Sequence, residues 1–169
     1  NIRFGLLAVR NLGSNLINQL IAERKNGRYT SMYDFCSRNY SRNFNRRALE
    51  GLIKSGAMDC FGANRRQMLQ CADDVMSAVE QEAFRSAGGQ TTLFDDLDAQ
   101  NDPTDEFKLP KVDEMPRKEL LAFEKEATGL YLSGHPLSDF DANIKALNCT
   151  RTDDILEHRI TDGDTVTLI

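Results

Sequence analysis

Two stretches carry residue types suited to holding an anion. Arg10-Asn11-Leu12-Gly13-Ser14 and Phe61-Gly62-Ala63-Asn64-Arg65-Arg66 each place an apolar residue just before a glycine, where a helical pattern begins. A tight bend into a helix turns several backbone N–H groups outward. With the positive end of the helix dipole, those groups form an anion site. Glycine allows close approach and accepts positive φ. Leu12 or Phe61 would anchor the bend in a core, and Arg10, Arg65 and Arg66 would add charge-assisted bonds to phosphate. Two such bends side by side could grip one duplex. That chemistry reads phosphates rather than bases, so it implies binding that ignores sequence and weakens with salt.

Other reactive side chains form no constellation. His135 lies in Ser-Gly-His-Pro-Leu with no acid–base partner in the pattern, and reads as a turn residue. Asp95, Asp96 and Asp98 lack the glycine and glutamate of a calcium loop and read as a solvated acidic flank. Cys36, Cys60, Cys71 and Cys149 contain no C-x-x-C pair, and His135 and His158 add no metal-ligand spacing. They read as reduced structural thiols. There is no Gly-rich nucleotide loop, and no recognisable motif of carboxylates that would hold metals for nucleotide transfer. A different puzzle lies in Gly88–Asp96, GGQTTLFDD, where Leu93 and Phe94 stand among polar and acidic residues with little beside them to pack.

The elements that would position the two bends are helices. Leu16, Ile17, Leu20 and Ile21 recur at helical spacing between a start at Gly13 or Ser14 and a stop at Gly27. FGLLAV before them reads as the end of another helix. SMYDFC leads on to a second helix, with Asn45 as N-cap, Leu49, Leu52 and Ile53 on one face, and Gly56 as its stop. Asn64, with Gln67 three residues on, gives a capping-box pattern for a third helix that Met68, Leu69, Ala72, Val75, Met76 and Val79 carry to about residue 84. The unit of helix, bend and helix thus occurs twice, which is a tandem supersecondary repeat.

Residues 87–115 change character, with Pro103, Pro110 and many Asp and Asn marking an exposed acidic linker. Pro116 opens a helix over PRKELLAFEKEAT that ends before Gly129. A turn at Gly134-His135-Pro136 and a short helix around Leu137–Leu147 follow. ITDGDTVTLI has an Asp-Gly turn and strand-like alternation up to Ile169, as if the chain stopped inside a β domain. The expected organisation is mainly α. It comprises a tandem domain over 1–86, a linker over 87–115, a helical connector over 116–149 and the start of a β-barrel over 150–169.

Net charge is −5, but it is unevenly spread. Residues 1–70 hold 12 basic and 4 acidic side chains, and residues 71–169 hold 9 and 22. The basic part suits a polyanion and the acidic part would lie away from it. No apolar run approaches the roughly 20 residues of a membrane span.

In chain order, IRFGLLAVRNLG, LEGLIKSGAMDCFGANRRQML, GQTTLFDD and LLAFEKEATGLYLSGHPLSDF resemble the C-terminal part of the bacterial DNA polymerase III alpha subunit family, across nearly the whole chain. The resemblance implies a tandem helix-hairpin-helix domain, an internal sliding-clamp-binding peptide and the beginning of an OB-fold. It implies a cytoplasmic, nucleoid-associated replicative polymerase working with other holoenzyme subunits. Its catalytic residues and magnesium would belong to parts before Asn1, so this stretch would carry no cofactor. Gln90-Thr91-Thr92-Leu93-Phe94 resembles the Gln-x-x-Leu-Phe pentapeptide that docks on the bacterial β clamp, which gives the Leu-Phe pair a partner. The family usually has glycine at the position of Asn11, and asparagine is the next-best residue for positive φ. Two other readings compete. One is an accessory domain of a repair or recombination nuclease, which would not need the EKEATGLYLSGHPL segment. The other is a protein-interaction adaptor whose bends merely connect helices.

Overall fold

The computed structural model describes residues 5–87, 109–146, 150, 152–157, 160, 163 and 165–167. They divide into two units, Asn1–Leu132 and Ser133–Ile169.

The first unit is built from helices. α1 (Ser14–Glu23) buries Leu16, Ile17 and Leu20 and tightens into a 3₁₀ turn over Arg24–Asn26 before Gly27, whose φ is 137°. The carbonyls left at that end are taken up by Arg38, which donates to the oxygens of Glu23, Gly27 and Arg28 and to the carboxylates of Glu23 and Asp34. Leu6–Ala8, expected to end a helix, is a single 3₁₀ turn. α2 (Met32–Asn39) is a helix of its own, folded out of SMYDFC. Ser31 accepts from the amide of Asp34, and the Asp34 carboxylate accepts from the amide of Thr30, so a Ser-x-x-Asp start signal is present.

α3 (Arg46–Lys54) starts as its sequence implies, with the Asn45 side chain accepting from the Ala48 amide at 3.0 Å. Its buried face is Ala48, Leu49, Gly51, Leu52 and Ile53. Each buried Leu or Ile contributes about 1.5–3 kcal/mol of transfer free energy. Gly51 costs helix propensity, and the packing explains its presence. A Cβ there would lie 2.9 Å from the Arg10 carbonyl oxygen. α4 (Arg65–Ala87) runs three residues past its expected end and buries Met68, Cys71, Ala72, Val75 and Val79. One core joins these four helices, with Val9, Leu12, Phe44 and Met58 from the segments between them. Cys36 is fully buried in it, and burial, reinforced by nearby Cys71, pushes its thiol up to about 12.

α5 (Arg117–Thr128), which the sequence groups with a connector, lies within this first unit and packs on α3. Lys54 pairs with Glu126 at 2.8 Å and sits over the Phe123 ring. Gly129 ends the helix with φ 81°.

In the second unit, a 3₁₀ stretch (Pro136–Phe140) leads into α6 (Asp141–Ala146), and α7 (Thr152–Leu156) follows. His135 caps the first of these, its Nδ1 accepting from the Leu137 amide. Gly163 has φ 99°, as an Asp-Gly turn needs, and the Thr150 amide donates to the Thr167 carbonyl. No strand occurs among the described residues.

Candidate nucleic-acid interface

At the first bend the left-handed residue is Asn11, with φ 66°. It is the one described non-glycine residue with positive φ. The chain reaches it from Val9, buried with Leu12 in the core. Arg10 is exposed, and its amide donates to the Ala127 carbonyl at 2.7 Å, which ties the bend to the end of α5. α1 begins one residue after Gly13. Gly13 has an extended backbone, φ −78° and ψ 154°, and supplies no side-chain cap. Among the described residues, no acceptor takes the amides of Gly13, Ser14 and Asn15, all three at exposed positions. Nothing lies within 4 Å of where a Gly13 Cβ would point. The folded chain therefore does not itself require glycine here.

The second bend is built otherwise. Gly56 and Gly62 are its left-handed residues, with φ 78° and 75°, and a 3₁₀ turn over Asp59–Phe61 separates them. Phe61 is half-buried against the core, while Gly62 is exposed. The expected capping box is present. Asn64 Oδ1 accepts from the Gln67 amide at 2.8 Å, and Gln67 Oε1 accepts from the Asn64 amide at 3.0 Å. The next two amides are taken as well. Glu114 accepts from Arg65 N through Oε2 at 2.9 Å and from Arg66 N through Oε1 at 3.2 Å. Burial works against the Glu114 charge, but donation from the amides of Met115, Arg65 and Arg66 outweighs it and holds the carboxyl below its ordinary pKa.

The arginines part company too. Arg66 projects outward, with no ion pair among the described residues, as does Arg10. Arg65 turns inward and is 8% exposed. Its guanidinium grips Asp59 with two bonds, at 2.9 and 2.8 Å, and reaches Glu124 at 3.1 Å and the Lys54 carbonyl at 3.3 Å. Glu124 is fully buried, and its second oxygen accepts from the Leu132 amide. Hydrogen bonding to Asp59, opposed by burial and helped by the charges of Asp59 and Glu124, raises the Arg65 pKa further. The second bend borders an apolar cleft of about 690 Å³, lined in part by Met58, Cys60 and Phe61 and by Leu20 and Ile21 of α1.

Of the residues singled out on the sequence, Arg10, Asn11, Gly13 and Ser14 thus come together around open amides, with Leu12 behind them. Gly62, Ala63, Asn64 and Arg66 surround amides that are filled, and Arg65 braces the interior. Glu114, Asp59 and Glu124 escaped sequence reasoning. Glu114 and Glu124 lie far along the chain from the bend, and no short-range pattern links them to it. Gln90, Thr91, Thr92, Leu93 and Phe94 lie outside the described residues. Among the described residues, no three or more His, Cys, Asp or Glu side chains form a group that could hold a metal ion. No described helix is long and apolar enough to cross a membrane.

Residues 1–68 match the model of a helix-hairpin-helix motif, a stretch that spans both bends. The chain is 37% identical over 147 residues to DNA polymerase III subunit alpha of Xylella fastidiosa (strain Temecula1), covering 86% of this chain and 12% of that protein. It is 37% identical over 146 residues to the Bacillus subtilis (strain 168) protein of the same name, covering 86% and 13%. Against the one from Deinococcus radiodurans it is 36% identical over 156 residues, covering 90% and 11%. The chain therefore spans about an eighth of the length of the curated relatives it matches. The resemblance read from the sequence holds: this chain corresponds to one segment of the DNA polymerase III alpha subunits.

Proposed function

We propose that the chain is the duplex-holding, clamp-tethering segment of a bacterial replicative DNA polymerase. It would act in the cytoplasm at the nucleoid beside the other holoenzyme subunits, while catalysis and magnesium reside elsewhere in the polymerase. The observation that carries this reading is the first bend. Three exposed amides at the start of α1 have no acceptor among the described residues, beside an unpaired Arg10 and a glycine that the fold does not need. A phosphate oxygen seated there gains N–H donors, the helix dipole and a guanidinium together. None of these contacts reads a base.

Tethering rests on Gln90–Phe94. Leu93 and Phe94 entering an apolar pocket supply about 1.5–3 kcal/mol each, and ordering the peptide takes much of that back. Affinity near micromolar follows as an order of magnitude. Because the clamp encircles the duplex that the first bend holds, two modest grips reinforce one another through effective concentration and still release.

Fluorescence anisotropy with a labelled random-sequence duplex at two salt concentrations tests the first grip. Binding should weaken steeply with salt and not differ between sequences. Replacing Gln90, Leu93 and Phe94 together by alanine should abolish capture by the β clamp and leave duplex affinity unchanged. Salt-independent or absent duplex binding would leave the adaptor reading in possession.

A further inference from the structure

The apolar cleft beside the second bend has a charged rim of one sign. Leu20 and Ile21 of α1, Phe35 of α2, and Met58 and Phe61 line it, and Ile21 is left 56% exposed. An apolar surface left open with polar residues at its edge suits a docked segment. Among the described residues that line the cleft, Arg24 and Arg28 are the only charged ones. Both are exposed, and neither side chain has an ion pair or hydrogen bond among the described residues. The acids closest to them in the chain, Glu23 and Asp34, are held by Arg38. The cleft therefore suits large apolar side chains with carboxylates directly beside them.

We infer that this cleft is the docking site of residues 93–98 of the same chain, Leu-Phe-Asp-Asp-Leu-Asp, in competition with the β clamp for Leu93 and Phe94. The match is one of charge and apolar character together. Residues 88–107 carry six acidic side chains and no basic one. Leu93 and Phe94 suit the apolar lining, and Asp95 and Asp96 suit the two guanidinium groups. The connection suits it as well. α4 ends at Ala87, and near that end the Tyr33 hydroxyl of α2 donates to the Glu82 carboxylate at 2.6 Å. Phe35 of the same short helix lines the cleft. Six residues lead from Ala87 to Leu93, a reach of up to about 20 Å. So short a link presents the segment to the cleft at an effective concentration of about millimolar, where weak contacts suffice. The competition rests on the reading of Gln90–Phe94 as a clamp peptide, and the docking does not.

Cys60 reports on the cleft, because it lines the cleft and is exposed, whereas Cys36 and Cys71 are buried. The test alkylates the 169-residue chain with N-ethylmaleimide and follows the peptide containing Cys60 by mass spectrometry. Changing Leu93 and Phe94 together to alanine should speed modification about tenfold. Arg24→Gln with Arg28→Gln should speed it about threefold. Losing two positive charges nearby makes a thiol less reactive, so a faster rate reads uncovering alone. The same arginine variant should bind immobilised β clamp about threefold tighter than the unaltered chain. An unchanged Cys60 rate in the Leu93 and Phe94 variant overturns the docking. So does protection that appears only as protein concentration rises, which makes a second copy the occupant. So does release of Cys60 by Phe4→Ala instead, which makes the residues before Leu6 the occupant. Clamp capture that the arginine variant leaves unchanged overturns the competition. If Cys60 behaves as expected and no variant captures the clamp, the docking stands and the tethering reading falls.

Discussion

Val9-Arg10-Asn11-Leu12-Gly13 and Met58-Asp59-Cys60-Phe61-Gly62 run in the same register of apolar and glycine positions, yet the chain handles them differently. In the first, the left-handed residue is Asn11, two places before the glycine, and the helix follows at once. In the second it is the glycine itself, and Asn64 intervenes as a cap. Where the first has Arg10, the second has Asp59. That one reversal of charge turns Arg65 inward, because a carboxylate within reach of its whole planar fork outcompetes solvent. The same pattern of letters therefore yields one bend whose amides and guanidinium have no partner among the described residues, and another whose amides and nearest guanidinium are both satisfied from within. A repeat in sequence is a repeat in backbone path before it is a repeat in chemistry.

The largest effect should come from the closed bend. Arg65→Ala takes the guanidinium away from the fully buried Glu124 carboxylate, which costs about 3–5 kcal/mol. Chemical denaturation should show that loss. An Arg65→Ala protein of unchanged stability with weakened duplex binding would instead make the two bends equivalent.

A transplant comes next. Gly13→Asp puts a carboxylate at the open bend, where it caps α1 as Glu114 caps α4. Duplex affinity should fall by about tenfold, while stability holds or rises by a few tenths of a kcal/mol. The pairing of lost binding with retained melting temperature is what separates site from scaffold.

The smallest effect should separate the two outward arginines. Arg10→Ala should flatten the salt slope by about 0.9, uniformly across sequences. Arg66→Ala should change the salt slope less than Arg10→Ala does, since Glu114 already fills the amides beside it.

Local signals were legible. The Asn45 cap, the Asn64–Gln67 box and the stops at Gly27 and Gly129 all follow from residues within three or four places of one another, and the positive φ of Asn11 follows from the resemblance, whose usual glycine it replaces. α2 went unread as a separate helix because Tyr33, Phe35 and Cys36 favour helix weakly. The Ser31–Asp34 start that fixes it is short and lies close to the next cap. The roles of Arg65 and Glu114 were not legible at all. Asp59, six places before Arg65, gives no sign of this by itself, and the other partners lie about fifty or sixty places along the chain, where only the packing of α5 and of residues 110–115 brings them near. A guanidinium beside a phosphate-type bend looks the same on paper whether it faces solvent or a buried carboxylate.

Gly51 shows where the open bend gets its shape. With a methyl group at that place on α3, the Arg10 carbonyl 2.9 Å away would have to retreat. The bend is thus seated from the rear, on a helix locked in the core, and laced sideways to Ala127. Its amides stand in formation before any polyanion arrives, so little disorder remains to be lost on contact. A residue with no side chain, on α3, sets how far forward the bend stands.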